Sequence, residues 1–278
     1  MRLGGPVFAD WDTPEEWAQR VSEHGYGACY CPIDRLDDDE AVRAYREAAG
    51  EAGLVIAEVG AWSNPISRDE TERAEALELC KQRLDLADRA GARCCVNIAG
   101  SRAEKWDGPH PDNVHGDTFD LIVETVREII DEVRPTRTFY TLETMPWIFP
   151  DSAGSYLELV QAIDRERFAV HMDVVNLVNS PRRYFDTAGL IRECFEKLGP
   201  LVKSCHAKDI ELTDNLTVHL QEVRPGLGGL DYEVLLREMD RLDPDTPLML
   251  EHLAGAEEYD RAAGYVRSVA QRSGVAFI

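Results

Sequence analysis

Short apolar runs alternate with longer amphipathic stretches along the whole chain. Each run is followed by a segment of helical period, which is typical of βα units around a parallel sheet. Eight units exceed what most open doubly wound sheets contain, so we predict an α/β fold: a closed (β/α)8 TIM barrel forming a single domain over residues 1–278. The predicted strands are roughly Leu3 to Phe8, Gly27 to Pro32, Leu54 to Trp62, Arg93 to Ala99, Thr138 to Glu143, Phe168 to Asp173, Leu201 to His206 and Pro247 to Glu251.

Several of the intervening helices have recognisable start signals. Thr13 followed by Pro14 predicts an N-cap with proline at the first helical position. Ser67 with Glu70 predicts a capping box at the start of another helix. Between Gly116 and Val133 the apolar residues fall on one side of a helical wheel, which predicts a helix packed against the barrel.

Composition places the chain among globular proteins. Its 278 residues, 44% of them hydrophobic, suit one α/β barrel. No stretch approaches the ~18 uninterrupted apolar residues of a membrane span, and the N-terminal sequence lacks the apolar core of a secretory signal, so we expect no membrane partner and a cytoplasmic location. The seven cysteines lie mostly in apolar runs, which predicts reduced core thiols. The sequence leaves open whether the chain forms a homo-oligomer.

The net charge of -22 argues against a nucleic-acid partner, because an acidic surface repels a phosphate backbone. The glycine-rich segment RPGLGG follows no predicted strand directly, so it does not match a dinucleotide-binding fingerprint. We therefore expect a small-molecule partner.

Polar residues end the last four predicted strands. These residues are Glu143, Asp173, His206 and Glu251. Glu143, Asp173 and His206 follow one another at intervals of roughly 30 residues, the length of one βα unit. The interval from His206 to Glu251 is longer and contains an extra loop, about Glu211 to Leu230, which we expect beside the mouth of the barrel. Since the C-terminal ends of barrel strands share one concavity, we predict that the four side chains converge.

Three carboxylates and one imidazole gathered in a sheltered site repel one another unless a cation lies between them. The oxygen-rich set with one nitrogen predicts one divalent metal ion, with Mn²⁺ or Mg²⁺ favoured and Co²⁺ or Zn²⁺ as alternatives. Taken singly, a strand-end carboxylate or histidine is more often a salt-bridge residue than a metal ligand.

The segments LETMPW, HMDVVN, CHAKDI, EVRPGLGGLDY and MLEHL resemble those of the sugar phosphate isomerase/epimerase superfamily, the xylose isomerase-like TIM barrels of AP endonuclease family 2. The resemblance covers nearly the whole chain. It implies that Glu143, Asp173, His206 and Glu251 are the metal ligands, and that Glu143 and Glu251 also act as acid and base.

Two positions depart from the pattern of the ketose 3-epimerases in this superfamily. Those enzymes carry a histidine and an arginine where this chain has Asn176 and Leu212, which argues against a free-ketose 3-epimerase. Endonuclease IV, a DNA-repair relative, requires several more histidines than converge here.

These observations lead to the hypothesis of a metal-dependent isomerase or epimerase of a sugar or sugar phosphate, acting through an enediolate with a carbohydrate substrate. The alternative is a metal-dependent dehydratase of a keto-polyol such as inosose or dehydroshikimate, since loss of a hydroxyl from the same intermediate gives dehydration. A sugar-binding protein without turnover is a further alternative, although both Glu143 and Glu251 are present.

Further residues are candidates for substrate binding because they lie at or beyond strand ends or share a strand face with a ligand. Each has an ordinary structural alternative: a hydrogen-bonded core histidine, an exposed arginine, or tryptophans that close the barrel rim. The candidates are Lys208, Arg224, His171, Asn176, Trp147, Glu58, Trp62 and Asn97.

Overall fold

Eight parallel strands close into a barrel in the computed structural model, which describes residues 1–34 and 38–278. Each strand pairs with its neighbours in chain order, and the last pairs with the first. This confirms the predicted single-domain (β/α)8 barrel, although the predicted strands extend beyond the observed ones. The barrel strands are β1 Arg2–Gly5, β2 Ala28–Tyr30, β3 Val55–Gly60, β4 Cys94–Asn97, β5 Phe139–Glu143, β6 Phe168–Met172, β7 Val202–Ala207 and β10 Pro247–Leu250.

An antiparallel hairpin follows β7 directly. Its strands are β8 Asp209–Leu212 and β9 Leu220–Val223. The prediction of a loop from Glu211 to Leu230 was therefore incomplete. The two strands are short and rich in polar residues, so the sequence lacks the apolar run by which the barrel strands are recognised.

Helices surround the barrel between consecutive strands. They are α1 Pro14–Glu23, α2 Asp39–Glu51, α3 Glu70–Ala90, α4 Gly116–Val133, α5 Ala153–Ile163, α6 Pro181–Tyr184, α7 Thr187–Leu198, α8 Tyr232–Met239 and α9 Ala256–Ser273, with short 3₁₀ turns at Pro111–Val114, Val175–Leu177 and Gly199–Leu201. Among the described residues, no helix combines the length and apolarity that crossing a bilayer requires.

The helix-start predictions have mixed outcomes. The Thr13 side chain accepts a hydrogen bond from the backbone of Glu16, so the predicted cap of α1 is confirmed, as are the bounds of α4. The predicted capping box at Ser67 is wrong. Asp69 caps α3 instead, because its carboxylate is adjacent to the free backbone N–H groups of the first turn, and the Ser67 hydroxyl donates to Glu72.

The apolar core lies chiefly between the barrel and its helices. Inside the barrel, a small apolar layer formed by Ala28, Ala57 and Met249 is separate from that core. All seven cysteines are free, and all but Cys31 are buried, in agreement with the predicted core thiols. Tyr30 and Val55 pack against this layer, and the polar side chains at the C-terminal end of the barrel are described below.

Asp209 organises the glycine-rich segment next to the hairpin. Its buried carboxylate accepts hydrogen bonds from the backbone N–H groups of Gly226, Gly228, Leu230 and Ile210, at 2.9–3.1 Å. A Cβ at Gly228 would lie 2.3 Å from the carbonyl oxygen of Ile210, so only glycine fits there. The glycines thus allow the loop to wrap around one carboxylate.

We expect Asp209→Asn to lower the free energy of unfolding by about 2 kcal/mol, because an amide cannot accept at both ends and leaves buried N–H groups unpaired. Urea denaturation followed by circular dichroism measures the change. Asp214→Asn, at an exposed position in the hairpin turn, is the matched control. Equal stability of the two variants would show that the carboxylate does not hold this loop.

Candidate metal centre

Four polar side chains from consecutive barrel strands meet at the C-terminal mouth. Glu143 ends β5, Asp173 follows β6, His206 lies in β7 and Glu251 follows β10. One ligand atom from each lies within 4.8 Å of the others. The convergence expected from strand-end spacing is therefore observed, and we refer to these four residues as the cluster.

His206 lies at the centre of the cluster. Its Nδ1 atom is 2.9 Å from Glu251 Oε1, 3.1 Å from Glu143 Oε1 and 3.9 Å from Asp173 Oδ2. The imidazole and the Asp173 carboxylate are completely buried. Short separations between negative groups in such a sheltered place are stable only if positive charge lies among them.

Lys208 supplies positive charge to the cluster. Its ammonium group is 2.8 Å from Asp173 Oδ2 and 3.5 Å from Glu143 Oε1, and it also contacts Glu251. The side chain is almost fully buried. Burial lowers the pKa of Lys208, but the surrounding carboxylates outweigh this effect and raise it well above its usual value. Lys208 is therefore charged.

One lysine does not balance three carboxylates. Burial, together with Glu143 and Glu251, raises the pKa of Asp173 to about 6, even though Lys208 opposes the rise. Burial also acts to raise the pKa of Glu143, but His206 and Lys208 hold it well below its usual value. Asp173 is therefore protonated more readily than an ordinary carboxylate, and further positive charge beside it would favour its ionised form.

Glu58 in β3 holds the imidazole of His206 through Nε2, the nitrogen that does not face Glu143 and Glu251. Its Oε1 is 3.0 Å from His206 Nε2, and a carboxylate can only accept, so Nε2 donates. The Nδ1 atom must then either carry a second proton or direct its lone pair toward a cation beside Glu143 and Glu251. A metal-ligating histidine held by a carboxylate through its other nitrogen is a common arrangement in metalloproteins.

The donor set therefore fits a divalent cation. Asp173 Oδ2 and Glu251 Oε1 are buried and accept no hydrogen bond from the described residues, so within that part of the chain their close polar contacts are the ionic ones given above. Three carboxylates and one imidazole nitrogen match the preference of Mg²⁺ and Mn²⁺ for oxygen-rich sites. Zinc sites more often use cysteine and histidine.

Glu58 also links His206 to a second buried histidine. Its Oε2 accepts hydrogen bonds from His171 Nε2 and Ser204 Oγ, both at 2.9 Å. Burial raises the pKa of Glu58, but the two histidines outweigh this effect and lower it well below its usual value. His171 is fully buried beneath the cluster and does not line the cavity, so its predicted contact with substrate is not supported by its position. Ser204 was missed, although it shares a strand face with His206.

A cavity of about 570 Å³ opens above the cluster. Among the predicted substrate-binding residues, those that line it are Glu58, Trp62, Trp147, Asn176 and Lys208. Residues not predicted also form its walls, namely Pro6, Tyr30, Gly60, Ile98, Lys105, Trp106, Asp107, Met145, Glu222, His252 and Tyr259. Many of these come from loops whose path the sequence pattern does not specify.

Two predicted substrate-binding residues lie elsewhere. The Asn97 side chain is fully buried and hydrogen-bonds the backbone of Ser63 and the thiol of Cys80. Arg224 forms an ion pair with Glu258, 2.9 Å away. Neither residue lines the cavity, so their roles in substrate binding stay predictions. A strand-end or loop position does not reveal the direction of the side chain.

Asn176 connects two members of the cluster. Its side-chain amide donates to Glu143 Oε1 at 3.2 Å, and its backbone N–H donates to Asp173 Oδ1 at 3.2 Å. The amide thereby restricts the rotation of the glutamate that faces the cavity. Leu212, the other position that departs from the ketose 3-epimerase pattern, lies at the end of β8.

A family model described as xylose isomerase-like TIM barrel matches residues 18–269. No curated protein sequence matches the chain significantly.

Several solved structures have the same fold. D-psicose 3-epimerase from Clostridium cellulolyticum H10, solved with D-tagatose, has a TM-score of 0.67 and 14% identity, covering 99% of this chain and 100% of that one. The probable 3-DHS dehydratase AsbF from Bacillus anthracis has a TM-score of 0.72 and 17% identity, and the match covers 98% of this chain and 100% of AsbF. A xylose isomerase-like TIM barrel protein from Mycobacterium smegmatis, solved in complex with magnesium, has a TM-score of 0.65 and 16% identity. That match covers 98% of this chain and 96% of the M. smegmatis protein. At these identities the likeness establishes the fold alone.

We expect Glu58→Gln to weaken Mn²⁺ binding about 10- to 100-fold, because the amide no longer fixes the orientation and tautomer of His206. Competition with a fluorescent chelator measures the affinity, and the visible spectrum of the Co²⁺-loaded protein reports the ligand geometry. The control is Glu211→Gln, the same substitution on the exposed side of the hairpin. Unchanged affinity and spectrum in a folded Glu58→Gln protein contradict this role.

Proposed function

Because the chain belongs to the xylose isomerase-like TIM barrel family, we propose that it is a divalent-metal-dependent isomerase or epimerase that acts on an uncharged keto sugar through an enediolate. The observation that carries the proposal is the cluster itself, whose four ligand atoms lie within 4.8 Å of one another. Its two glutamates come from β5 and β10, on either side of β6 and β7 in the barrel order. They therefore approach a bound sugar from different directions.

In the proposed reaction, Glu143 removes a proton from the carbon beside the substrate carbonyl, and Glu251 returns a proton. Asn176 orients Glu143 for this task through its hydrogen bond to Oε1. Return to the opposite face of the same carbon gives an epimer. Return to the neighbouring carbon, with transfer of the hydroxyl proton to the former carbonyl oxygen, gives an isomer. A divalent ion, when bound, supplies Lewis-acid stabilisation of the negative charge that develops on the two adjacent oxygens.

Lys208 is suited to assist in binding. Its ammonium lines the cavity and is held by Asp173, so it can donate a hydrogen bond to a sugar oxygen without moving far. We assign Mg²⁺ or Mn²⁺ as the ion that accompanies these residues, with Co²⁺ and Zn²⁺ as weaker candidates, since oxygen donors dominate the cluster.

The charges on the cavity wall favour a neutral substrate. In the described part of the chain, each cationic group lining the cavity has an acidic partner. Lys208 pairs with the cluster, Lys105 is 2.8 Å from Asp107, and His252 is 3.3 Å from Glu222. A phosphate or carboxylate would enter an acidic cavity without an unpaired cation to receive it. A sugar is therefore preferred over a sugar phosphate, and the same repulsion disfavours nucleic acid.

A dehydratase of a neutral keto-polyol such as inosose is the second candidate. The paired glutamates favour it equally, because one can remove the proton while the other protonates the departing hydroxyl. Dehydroshikimate fits less well, since its carboxylate lacks a cationic partner in the cavity. An ultraviolet-absorbing enone identifies dehydration, whereas isomerisation leaves the mass of the sugar unchanged.

We expect the Mn²⁺-loaded protein to exchange the hydrogen beside the carbonyl of its substrate for deuterium in D₂O. Proton NMR of a panel of ketoses and keto-polyols detects the exchange. Glu143→Gln and Glu251→Gln should each slow it by roughly 10² to 10⁴, since a general acid or base is removed. Metal content is measured in parallel, and Glu124→Gln on the exposed face of α4 is the control. Absence of exchange across the panel would count against the proposed function.

We also expect the phosphate ester of any accepted sugar to be a poorer substrate, with kcat/KM at least about tenfold lower than that of the neutral sugar, because its charge is not compensated in the cavity. Steady-state kinetics with matched pairs of ketose and ketose phosphate test this. A higher kcat/KM for the ester contradicts the assignment of a neutral substrate but leaves the metal-dependent reaction intact.

A further inference from the structure

Glu251 is held differently from the other members of the cluster, which are fixed by hydrogen bonds with Asn176 or Glu58. The Oε1 atom of Glu251 is buried and accepts no hydrogen bond from the described residues, although it makes ionic contact with Lys208. Its Oε2 atom lies 3.8 Å from Nε2 of His252, the next residue in the chain. The backbone turn after β10 therefore has a large share in directing this carboxylate.

This turn has an unusual backbone conformation. His252 has a φ of 57°, in the left-handed region that residues other than glycine rarely adopt. The other non-glycine residues with positive φ in the described part of the chain, Arg134 and Asp164, end helices α4 and α5, where this conformation is common. His252 follows a strand and ends no helix, so contacts of its side chain are needed to stabilise the conformation.

The side chain of His252 is held by the hairpin. Its Nδ1 atom lies 3.3 Å from each oxygen of Glu222, and because a carboxylate only accepts, Nδ1 donates. The imidazole thus lies between two carboxylates, with Nδ1 toward Glu222 of the hairpin and Nε2 toward Glu251 of the cluster. Both Glu222 and His252 line the cavity.

The two ends of the hairpin meet beside Glu251. Lys208, which contacts Glu251, directly precedes β8, and Glu222 is the last residue but one of β9. At the base of the hairpin, Glu222 Oε2 is 3.8 Å from Lys208 Nζ. The hairpin therefore reaches the same carboxylate through Lys208 at its start and through His252 at its end.

We propose that Glu222 is a positioning residue for Glu251 that acts through His252. Its hydrogen bond keeps the imidazole toward the hairpin and the backbone in the left-handed region, and this turn directs the preceding carboxylate to the cluster. The inference rests on the cation site of the proposed function, but not on the reaction. It makes the hairpin part of the metal centre through a residue that is not a ligand.

The proposal links the cation to the hairpin. A cation bound by Glu251 favours the turn at His252, and that turn favours the hydrogen bond to Glu222. Because such coupling is reciprocal, cation binding should stabilise the docked hairpin as much as the docked hairpin stabilises the bound cation.

Metal binding tests the proposal without any substrate. Competition with a fluorescent chelator measures the Mn²⁺ affinity, and the visible spectrum of the Co²⁺-loaded protein reports the ligand geometry. We expect Glu222→Ala and His252→Ala each to weaken Mn²⁺ binding about tenfold and to alter the spectrum, since residues that orient metal ligands have effects of this size. Glu211→Ala, at an exposed position in the same hairpin, is the matched control and should change neither.

Two further variants separate positioning from simple loss of charge. Glu222→Ala combined with His252→Ala should bind Mn²⁺ as weakly as either single variant, because both changes break one link, whereas a direct electrostatic role of Glu222 would make the two effects multiply. His252→Asn should restore the affinity to within about threefold of the unmodified protein, because asparagine tolerates the left-handed region and its amide can donate to Glu222 in place of Nδ1.

Hydrogen exchange of the hairpin, residues 209–223, measures the linkage in the unmodified protein and needs no variant. Mn²⁺ should slow this exchange, and Glu222→Ala should abolish the slowing. Circular dichroism confirms that each variant is folded.

Unchanged Mn²⁺ affinity in a folded Glu222→Ala protein, multiplying effects in the double variant, failure of His252→Asn to restore binding, or hairpin exchange that does not respond to Mn²⁺ overturns the inference. These outcomes leave the metal centre and the proposed reaction intact. Absence of Mn²⁺ binding by the unmodified protein overturns the metal centre together with this inference.

Discussion

The concentration of negative charge at the end of the barrel is the constraint on which the rest of the site depends. The C-terminal ends of parallel barrel strands meet in one concavity, so Glu143, Asp173 and Glu251 lie close together. Burial removes the water that would otherwise screen them. Lys208 supplies positive charge, and although burial opposes the rise, the carboxylates raise the pKa of His206 well above its usual value. The same ligand atoms could hold a divalent cation, which is why the cluster is interpreted as a candidate metal centre.

One strand carries much of the organisation. In β7 and the residues after it, alternate side chains point into the barrel, so Ser204, His206 and Lys208 face the site together. Asp209, the next residue, faces the other way and holds the loop that follows the hairpin. In this one segment, Ser204 positions the Glu58 carboxylate and His206 offers a candidate metal ligand. Lys208 supplies positive charge, and Asp209 anchors the loop beside the cavity. Changes in this segment affect several parts of the site at once.

Periodicity was sufficient to predict the barrel, and the polar residues that end its strands were sufficient to predict the cluster, because both follow from regular backbone geometry. The contacts of Glu58 were not predictable. They join residues 113 to 148 positions apart in sequence and depend on which side chains reach across the barrel interior. The contacts of Asn97 and Arg224 were unpredictable for a related reason, since a strand end or a loop gives the position of a residue but not the direction of its side chain. The hairpin was missed because its short strands are polar.

The cluster and the rest of the cavity lining are held to different geometric standards. Residues of the cluster must satisfy distances of a few ångströms, and hydrogen bonds from Glu58 and Asn176 restrict them further. The aromatic residues that line the cavity, such as Trp62 and Trp106, have no such requirement, because aromatic surfaces make contact through area and stacking, which tolerate small displacements. They carry no charge, so substitutions there leave the charge balance of the cluster intact. On a barrel whose strands fix the cluster, the loops that carry these aromatic residues can therefore vary in sequence with little effect on the cluster.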